Sequence, residues 1–341
     1  MIRIDGSQGE GGGQILRTAL ALSACTGKAL LIENIRAKRK KPGLMRQHLS
    51  CVHATQRICA AKVEGDAISS QTLRFEPGQI KSGDYHFAVG SAGSAMLVLQ
   101  TVLPQLLLAE GQSQLVLEGG THNPMSPTFH YINEVFMPVL AKIGFACSCE
   151  IEQWGFYPAG GGRVRVTVNP SIADSLKKLD LCSPGRLTSS SVLAAVAKIP
   201  WEIAEDECNT IVNAARFEVT QKKAISVDSP GPGNVAMLRL DFEHCPAMFT
   251  GFGELGVSRK KVAASVYREA NHFYKSSAAI DPHLADQILL PMALAGGGSF
   301  TTMEPTEHTR TNMKVIELFL PVSHEFSQID AKLWKIQISA A

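Results

Sequence analysis

The 341-residue chain lacks both common signatures of nucleotide-binding folds. There is no G-x-x-x-x-G-K-[ST] segment, and no G-x-G-x-x-G turn between a strand and a helix with its acidic partner, so an ordinary P-loop ATPase is disfavoured. The K-x-D-G setting of a ligase lysine is missing too. Arg3-Ile4-Asp5-Gly6 puts arginine in the nucleophile's place, and arginine stays protonated. A secretory signal is not expected, because MIRIDGSQGEGGG turns to glycine before an apolar run can form. Long apolar runs are also scarce. The longest, Ala95 to Ala109, is broken by Gln100, Pro104 and Gln105, which suits a buried helix rather than a bilayer span. Zinc-ligand spacing is absent: of eight cysteines only Cys147 and Cys149 lie close together, and the expectation is free, mostly buried thiols. A surplus of one charge sign is lacking as well. Net charge is +2, too little to coat long nucleic acid by charge alone. These absences place the protein, as an expectation, in the cytoplasm and off the membrane.

What is present is a large core. Hydrophobic residues make up 45% and charged residues 19%, the balance of a globular chain. Its length calls for two domains or one domain enlarged by repeats. Repeats are visible. GGQILRTALALSACTGKALLIENIR is echoed at an offset of about 84 residues by SAMLVLQTVLPQLLLAEGQSQLVLEGG. Each reads as a helix closed by glycine and then a strand. A third copy starts at ADQILLPMALAGGG, with Pro104 matching Pro291 and Pro138 matching Pro321. Each copy continues through a polar turn into a second amphipathic helix, as in PGLMRQHLSCVHATQRICAA, SPTFHYINEVFMPVLAKIG and TNMKVIELFLPV. The expected fold class is α/β (α+β), with three repeated two-helix, four-stranded-sheet modules and one smaller inserted α/β domain. Residues 1–180 plus 279–341 form the repeated part, and 181–278, turn-rich at both ends, form the insertion. Within it SPGPGN reads as a loop, NVAMLRLDF as a strand and VSRKKVAASVYREANHFYKS as a helix.

Three constellations carry chemistry. Gly9-Glu10-Gly11-Gly12-Gly13-Gln14 lies between a short strand and the first helix, where glycine lets backbone N–H groups approach a phosphate. It reads equally as a turn without ligand, although a carboxylate such as Glu10 beside a phosphate commonly holds a divalent cation. Arg36, Lys38, Arg39, Lys40, Lys41 and Arg46 crowd the second turn, ahead of Gln47 and His48. Arginine forks bind phosphate bidentately, and a solvated basic surface is the competing reading. Arg17, just beyond the glycine turn, can point at the same place. The third is Glu307-His308-Thr309-Arg310-Thr311-Asn312, at the equivalent turn of the third copy. A histidine there is either structural or, if three like turns gather around one cleft, a neutral imidazole able to attack the α-phosphate of ATP.

GEGGGQILR, IRAKRKKPGLMRQHL, GSAGSA, GFYPAGGG, SPGPGN, HLADQILLPMALAGGG and HTRTN, in that order over essentially the whole chain, resemble the RNA 3′-terminal phosphate cyclase family. The resemblance implies three repeats plus one inserted domain. It also implies an enzyme that uses ATP and Mg²⁺ (or Mn²⁺) to convert an RNA 3′-terminal phosphate into a 2′,3′-cyclic phosphate, through a covalent histidine-AMP and an RNA(3′)pp(5′)A intermediate. His308 would be the nucleophile and Glu10 would hold the metal. Arg17, Arg36, Arg39, Gln47 and His48 would surround the phosphates, with Gln14, Pro127, Asp286 and Gln287 lining the nucleotide site. His283 stands where the family's bacterial members place a tyrosine against adenine, and an imidazole can stack as well. Two other readings compete: a non-catalytic ribosome-assembly factor of the same fold, and an enolpyruvyl-transferase-like small-molecule enzyme. The first would lack His308 and Glu10, and the second leaves HTRTN unexplained. Which RNAs are processed is not legible, and a homodimer is compatible with the sequence but not determined by it.

Overall fold

The computed structural model describes residues 1–9, 11–171 and 175–341. Glu10, expected to hold a metal, lies outside them. The chain opens with β1 (Ile2–Asp5), α1 (Gln14–Thr26), β2 (Leu30–Glu33), α2 (Arg46–Cys59), β3 (Lys62–Glu64) and β4 (Leu73–Glu76). The same succession follows in β5 (Asp84–Ala88), α3 (Ala95–Leu107), β6 (Ser113–Gly119), a second helix, β7 (Cys147–Gln153) and β8 (Gly162–Val168). That second helix is built from α4 (Phe129–Tyr131), a π turn (Ile132–Phe136) and α5 (Met137–Ile143). After β9 (Leu179–Leu181) come β10 (Leu187–Ala197), α6 (Glu202–Ala214), β11 (Gln221–Ser226), β12 (Gly233–Phe242), β13 (Pro246–Phe252) and α7 (Arg259–Tyr274). The last run is α8 (Pro282–Leu294), β14 (Gly298–Thr302), α9 (Glu307–Phe319), β15 (Val322–Gln328) and β16 (Trp334–Ala340).

Three four-stranded sheets share one order: β1-β2-β4-β3, β5-β6-β8-β7 and β9-β14-β16-β15. In each, the first two strands are parallel; in the first two sheets a helix joins them, and in the third β10 to α7 intervene before helix α8. The remaining pairs are antiparallel. One face of each sheet meets helices, so strands alternate. In GRVRVTV the valines at 164, 166 and 168 are buried while Arg163 and Arg165 are exposed. The fourth sheet, β11-β10-β12-β13, lies between β9 and α8 in sequence. Both of its faces are covered. Val192, Ala194 and Val196 pack with α6 and α7 in a core of their own, whereas Ala195 and Ala197 join the main core. That is why β10 carries the unbroken run VLAAVA.

The interrupted apolar run forms α3, whose residues are almost all buried. Among the described residues no helix is long and apolar enough to cross a membrane, and all eight cysteines are free thiols. Pro104 and Pro291 occupy matching positions in α3 and α8. Pro138 and Pro321 do not match as expected: Pro138 lies inside α5, and Pro321 follows the end of α9. A π turn directly precedes Pro138 and lets the helix run on through it.

Helix α1 is central. It packs on α2, α3 and α9, and Leu20 at its middle is fully buried. Leu20→Ala should cost about 2–5 kcal/mol, read as a lower urea midpoint at unchanged slope. A loss below about 0.5 kcal/mol would show that α1 is not the keystone of the main core.

Candidate active site

The N-terminus of α1 begins at Gly13 with no side-chain cap, so its first N–H groups remain available to an anion. Three side chains press on this turn. A Cβ at Gly13 would lie 2.5 Å from His48 Nε2 and 2.8 Å from Arg17 Nη1, and one at Gly12 would lie 3.2 Å from Arg39 Nη2. Only glycine lets the side chains approach the turn this closely. His48 sits in the first turn of α2, where Met45 N–H donates to its Nδ1 at 3.1 Å. The ring proton is therefore on Nε2, facing Gly13. Burial, then the charges of Arg17 and Arg36, push His48 down to about 3, so the ring is neutral. Arg36 closes its own turn, donating from Nη1 to Lys41 O at 2.7 Å and Gly43 O at 2.8 Å. Lys38, Lys40, Lys41 and Arg46 are exposed.

Opposite this turn, the Thr306 hydroxyl accepts from Thr309 N–H at 3.2 Å and caps α9. His308 lies in the first turn, with its Nδ1 hydrogen-bonded to Gln14 Oε1. The other end of the Gln14 amide fixes the direction of this bond. Gln14 Nε2 donates to Asp286 Oδ2 at 3.0 Å, which leaves Oε1 as an acceptor. His308 Nδ1 must then carry the proton, and the lone pair is on Nε2. Burial raises the Asp286 carboxyl to about 7, against the opposing pull of His283 and Arg17. Asn312 locks the same corner: its Nδ2 donates to Asp286 O at 2.8 Å, and its Oδ1 accepts from the Thr18 hydroxyl at 2.6 Å.

These groups border a cavity of about 470 Å³. Gln14, Arg17, Pro127, His283, Asp286, Gln287 and His308, all singled out in the sequence, line it together. Arg36, Arg39, Gln47 and His48 do not. Arg39 and His48 reach the glycine turn from its other side, and Gln47 Oε1 accepts from Ser94 N–H at 3.3 Å. His308 borders both regions, since it also lines a small crevice with Gln8, Gly11, Gly12 and Thr311. The exposed His283 is placed by Asp281, which caps α8 and accepts from the Tyr131 hydroxyl at 2.9 Å.

Sequence reading named Asn312 only as part of HTRTN, without a role, and missed Thr18 and Gln100 as polar lining, together with Phe249 and Phe252 of β13 and Glu269 of α7. Gln100 had a usable signal. It stands four residues before Pro104 as Gln287 stands before Pro291, and the two amides bond to each other at 2.6 Å. Nothing in the sequence marked β13 as a wall of this cavity.

With the geometry in place, the chain was compared with known proteins. The family model described as RNA 3′-terminal phosphate cyclase matches residues 8–326. A protein of that name from Koribacter versatilis is 46% identical over 96% of this chain and 92% of its own length. Another from Salmonella enteritidis is 46% identical over 94% of both chains. A third from Pseudomonas fluorescens is 43% identical over 100% of this chain and 98% of its own. Among solved structures, the enolpyruvyl transferase NikO from Streptomyces tendae aligns with 98% of this chain at a TM-score of 0.36 and 11% identity, and the chain spans about half its length, 47%.

A carboxyl that holds its proton to about 7 when folded, against 3.8 ordinarily, makes folding less favourable as pH rises through that window, because the unfolded chain releases the proton first. Asp286→Asn removes this contribution while leaving an acceptor for Gln14. Its urea midpoint should fall less steeply between pH 4 and 7 than the parent's. Parallel profiles would refute the protonated carboxyl.

Proposed function

Because the chain belongs to the RNA 3′-terminal phosphate cyclase family, we propose that it is a ligase-class enzyme that uses ATP to convert an RNA 3′-terminal phosphate into a 2′,3′-cyclic phosphate. One observation carries the reading. His308 stands where the cavity meets the glycine-turn crevice, with Nδ1 engaged by Gln14. The base would lie in the cavity between Pro127 and His283, near Asp286 and Gln287. The cavity has the size of a small-molecule site. The triphosphate would run to the N-terminus of α1, among Arg17, Arg39 and the Nε2–H of His48, with Arg36 and Gln47 holding the turns behind them. The uncapped N–H groups that begin α1 suit a phosphate.

In the first step the lone pair of His308 Nε2 attacks the α-phosphorus. The Nε2–P bond forms, the bond to the bridging oxygen breaks, and pyrophosphate leaves. Nδ1 keeps its proton throughout, and Gln14 Oε1, accepting from it, stabilises the charge on the ring. The arginines neutralise the oxygens of the transferring group. An oxygen of the RNA 3′-phosphate then takes AMP from His308, giving RNA(3′)pp(5′)A. The ribose 2′-OH attacks the adjacent phosphorus, its proton is lost, and AMP departs as the ring closes. Attack is favoured because the nucleophile is tethered beside its target. DNA, without that hydroxyl, cannot cyclise.

A divalent cation, Mg²⁺ or Mn²⁺, would be held by Glu10 together with phosphate oxygens and would supply positive charge beside the triphosphate. Among the described residues no three His, Cys, Asp or Glu side chains gather into one cluster. We read residues 1–180 plus 279–341 as the repeated domain and 181–278 as the inserted one. The unpaired thiols fit the reducing cytoplasm.

Incubation with α-labelled ATP and Mg²⁺ should label the protein through an acid-labile, alkali-stable phosphoramidate. His308→Ala should abolish labelling while keeping a cooperative melting transition. Undiminished labelling of that variant removes His308 as nucleophile.

A further inference from the structure

Three glycine-rich segments, GSAGSA, GFYPAGGG and SPGPGN, lie outside the cavity lining. They meet one another. The turn after Phe156 is closed by Gly160 N–H donating to Phe156 O at 2.7 Å. Gly160 (φ +67) and Gly161 (φ +72) adopt left-handed backbone, and both face neighbouring segments. A Cβ on Gly160 would lie 2.8 Å from Ala92 Cα, and one on Gly161 would lie 2.6 Å from Pro230 Cγ. The turn is thus wedged between the other two segments. Beneath it Phe156 is buried, stacked on Trp154 at 5.9 Å and tilted against His122 at 5.6 Å. At its tip Tyr157 is 65% exposed. An aromatic ring held out by so closely packed a turn is not explained by the core.

The platform is continuous with the candidate active site on two sides. Ala92 O accepts from Asn123 Nδ2 at 2.6 Å, and Asn123 begins the turn whose Pro124 to Thr128 wall the cavity. Ser94 N–H reaches Gln47, next to His48 at the glycine turn. A cation is at hand as well: the exposed Lys198 donates to Pro230 O at 2.7 Å, beside Gly161. An exposed ring on a tightly packed turn, with a cation bonded to the segment that packs against that turn, is the chemistry that holds single-stranded nucleic acid, the ring stacking on a base of any identity and the cation following the backbone.

We propose that Tyr157 is a stacking platform for a nucleobase at the 3′ end of the RNA strand, holding the terminus over the site without reading its sequence. The proposal rests on the cyclase reading. Its test is arranged to fail separately, because labelling with ATP alone needs no RNA. Tyr157→Ala should label at the parental rate. Its KM for a 3′-phosphorylated oligoribonucleotide should rise about tenfold, within the range for loss of one stacked base, with kcat little changed. Tyr157→Phe should restore the parental KM. A substrate whose last two nucleosides lack bases should bind the parent about tenfold more weakly and leave Tyr157→Ala indifferent. An unchanged KM in Tyr157→Ala overturns the proposal, even if some protein partner is lost. So does a Phe variant as impaired as the Ala variant, or an equal loss on normal and abasic substrates.

Discussion

The side-chain amide of Gln14 is the joint on which the candidate site depends. It belongs to the first helix of the chain, yet one end gives to Asp286 on α8 and the other takes from His308 on α9. An amide has a fixed donor end and a fixed acceptor end, so the contact with Asp286 determines which nitrogen of His308 bears a proton. Reactivity at His308 is thereby tied to how the first and third repeats dock. The Thr18–Asn312 and Asn312–Asp286 bonds hold that docking at the same corner, where a small misplacement costs most.

The repeats explain how such a corner arises and why the sequence could only half reveal it. Gln47, His130 and His308 each occupy the second position of the second helix in their repeat. Only the environment separates them. His130 bonds through Nδ1 to the buried His122 at 2.8 Å and packs against Trp154 and Phe129. Burial lowers it to about 4, and its turn is structural. Gln47 braces the loop before α3. His308 alone of the three meets the cavity. Pattern reading found the paired helices, a strand such as LLIENI or QLVLEG beside them and the turn that carries His308, because apolar period and glycine position are local properties. It could not choose between His130 and His308 from the turns themselves, since that choice depends on side chains from distant segments. The motif resemblance supplied it.

The basic turn shows the same limit from the other direction. Six cations in one short segment looked like one anion site, but they divide in space. Arg36 satisfies carbonyls of its own loop, Arg39 leans on Gly12, and four others face solvent. Charge runs specify attraction and not direction. Arg17, standing alone in the sequence, is the arginine that borders both the cavity and the glycine turn. Burial weakens its hold on a proton without threatening its charge.

The insertion contributes in a way that composition did not announce. Its sheet is apolar on both faces, one turned to its own helices and the other to the main core, so β13 is pressed against the π turn of the second repeat. That contact brings Phe249 and Phe252 to the cavity opposite α3 and α8. On those two helices the matched prolines supply no N–H, so the carbonyls of Gln100 and Gln287 lose their usual helical donor. Both glutamines line the cavity, where their side chains pair. A chamber walled by apolar rings and crossed by a pair of glutamine amides has the mixed lining of a small-molecule site. The two proline-bearing helices and the sheet that lies between β9 and α8 in sequence thus meet at one cavity, which neither alone encloses.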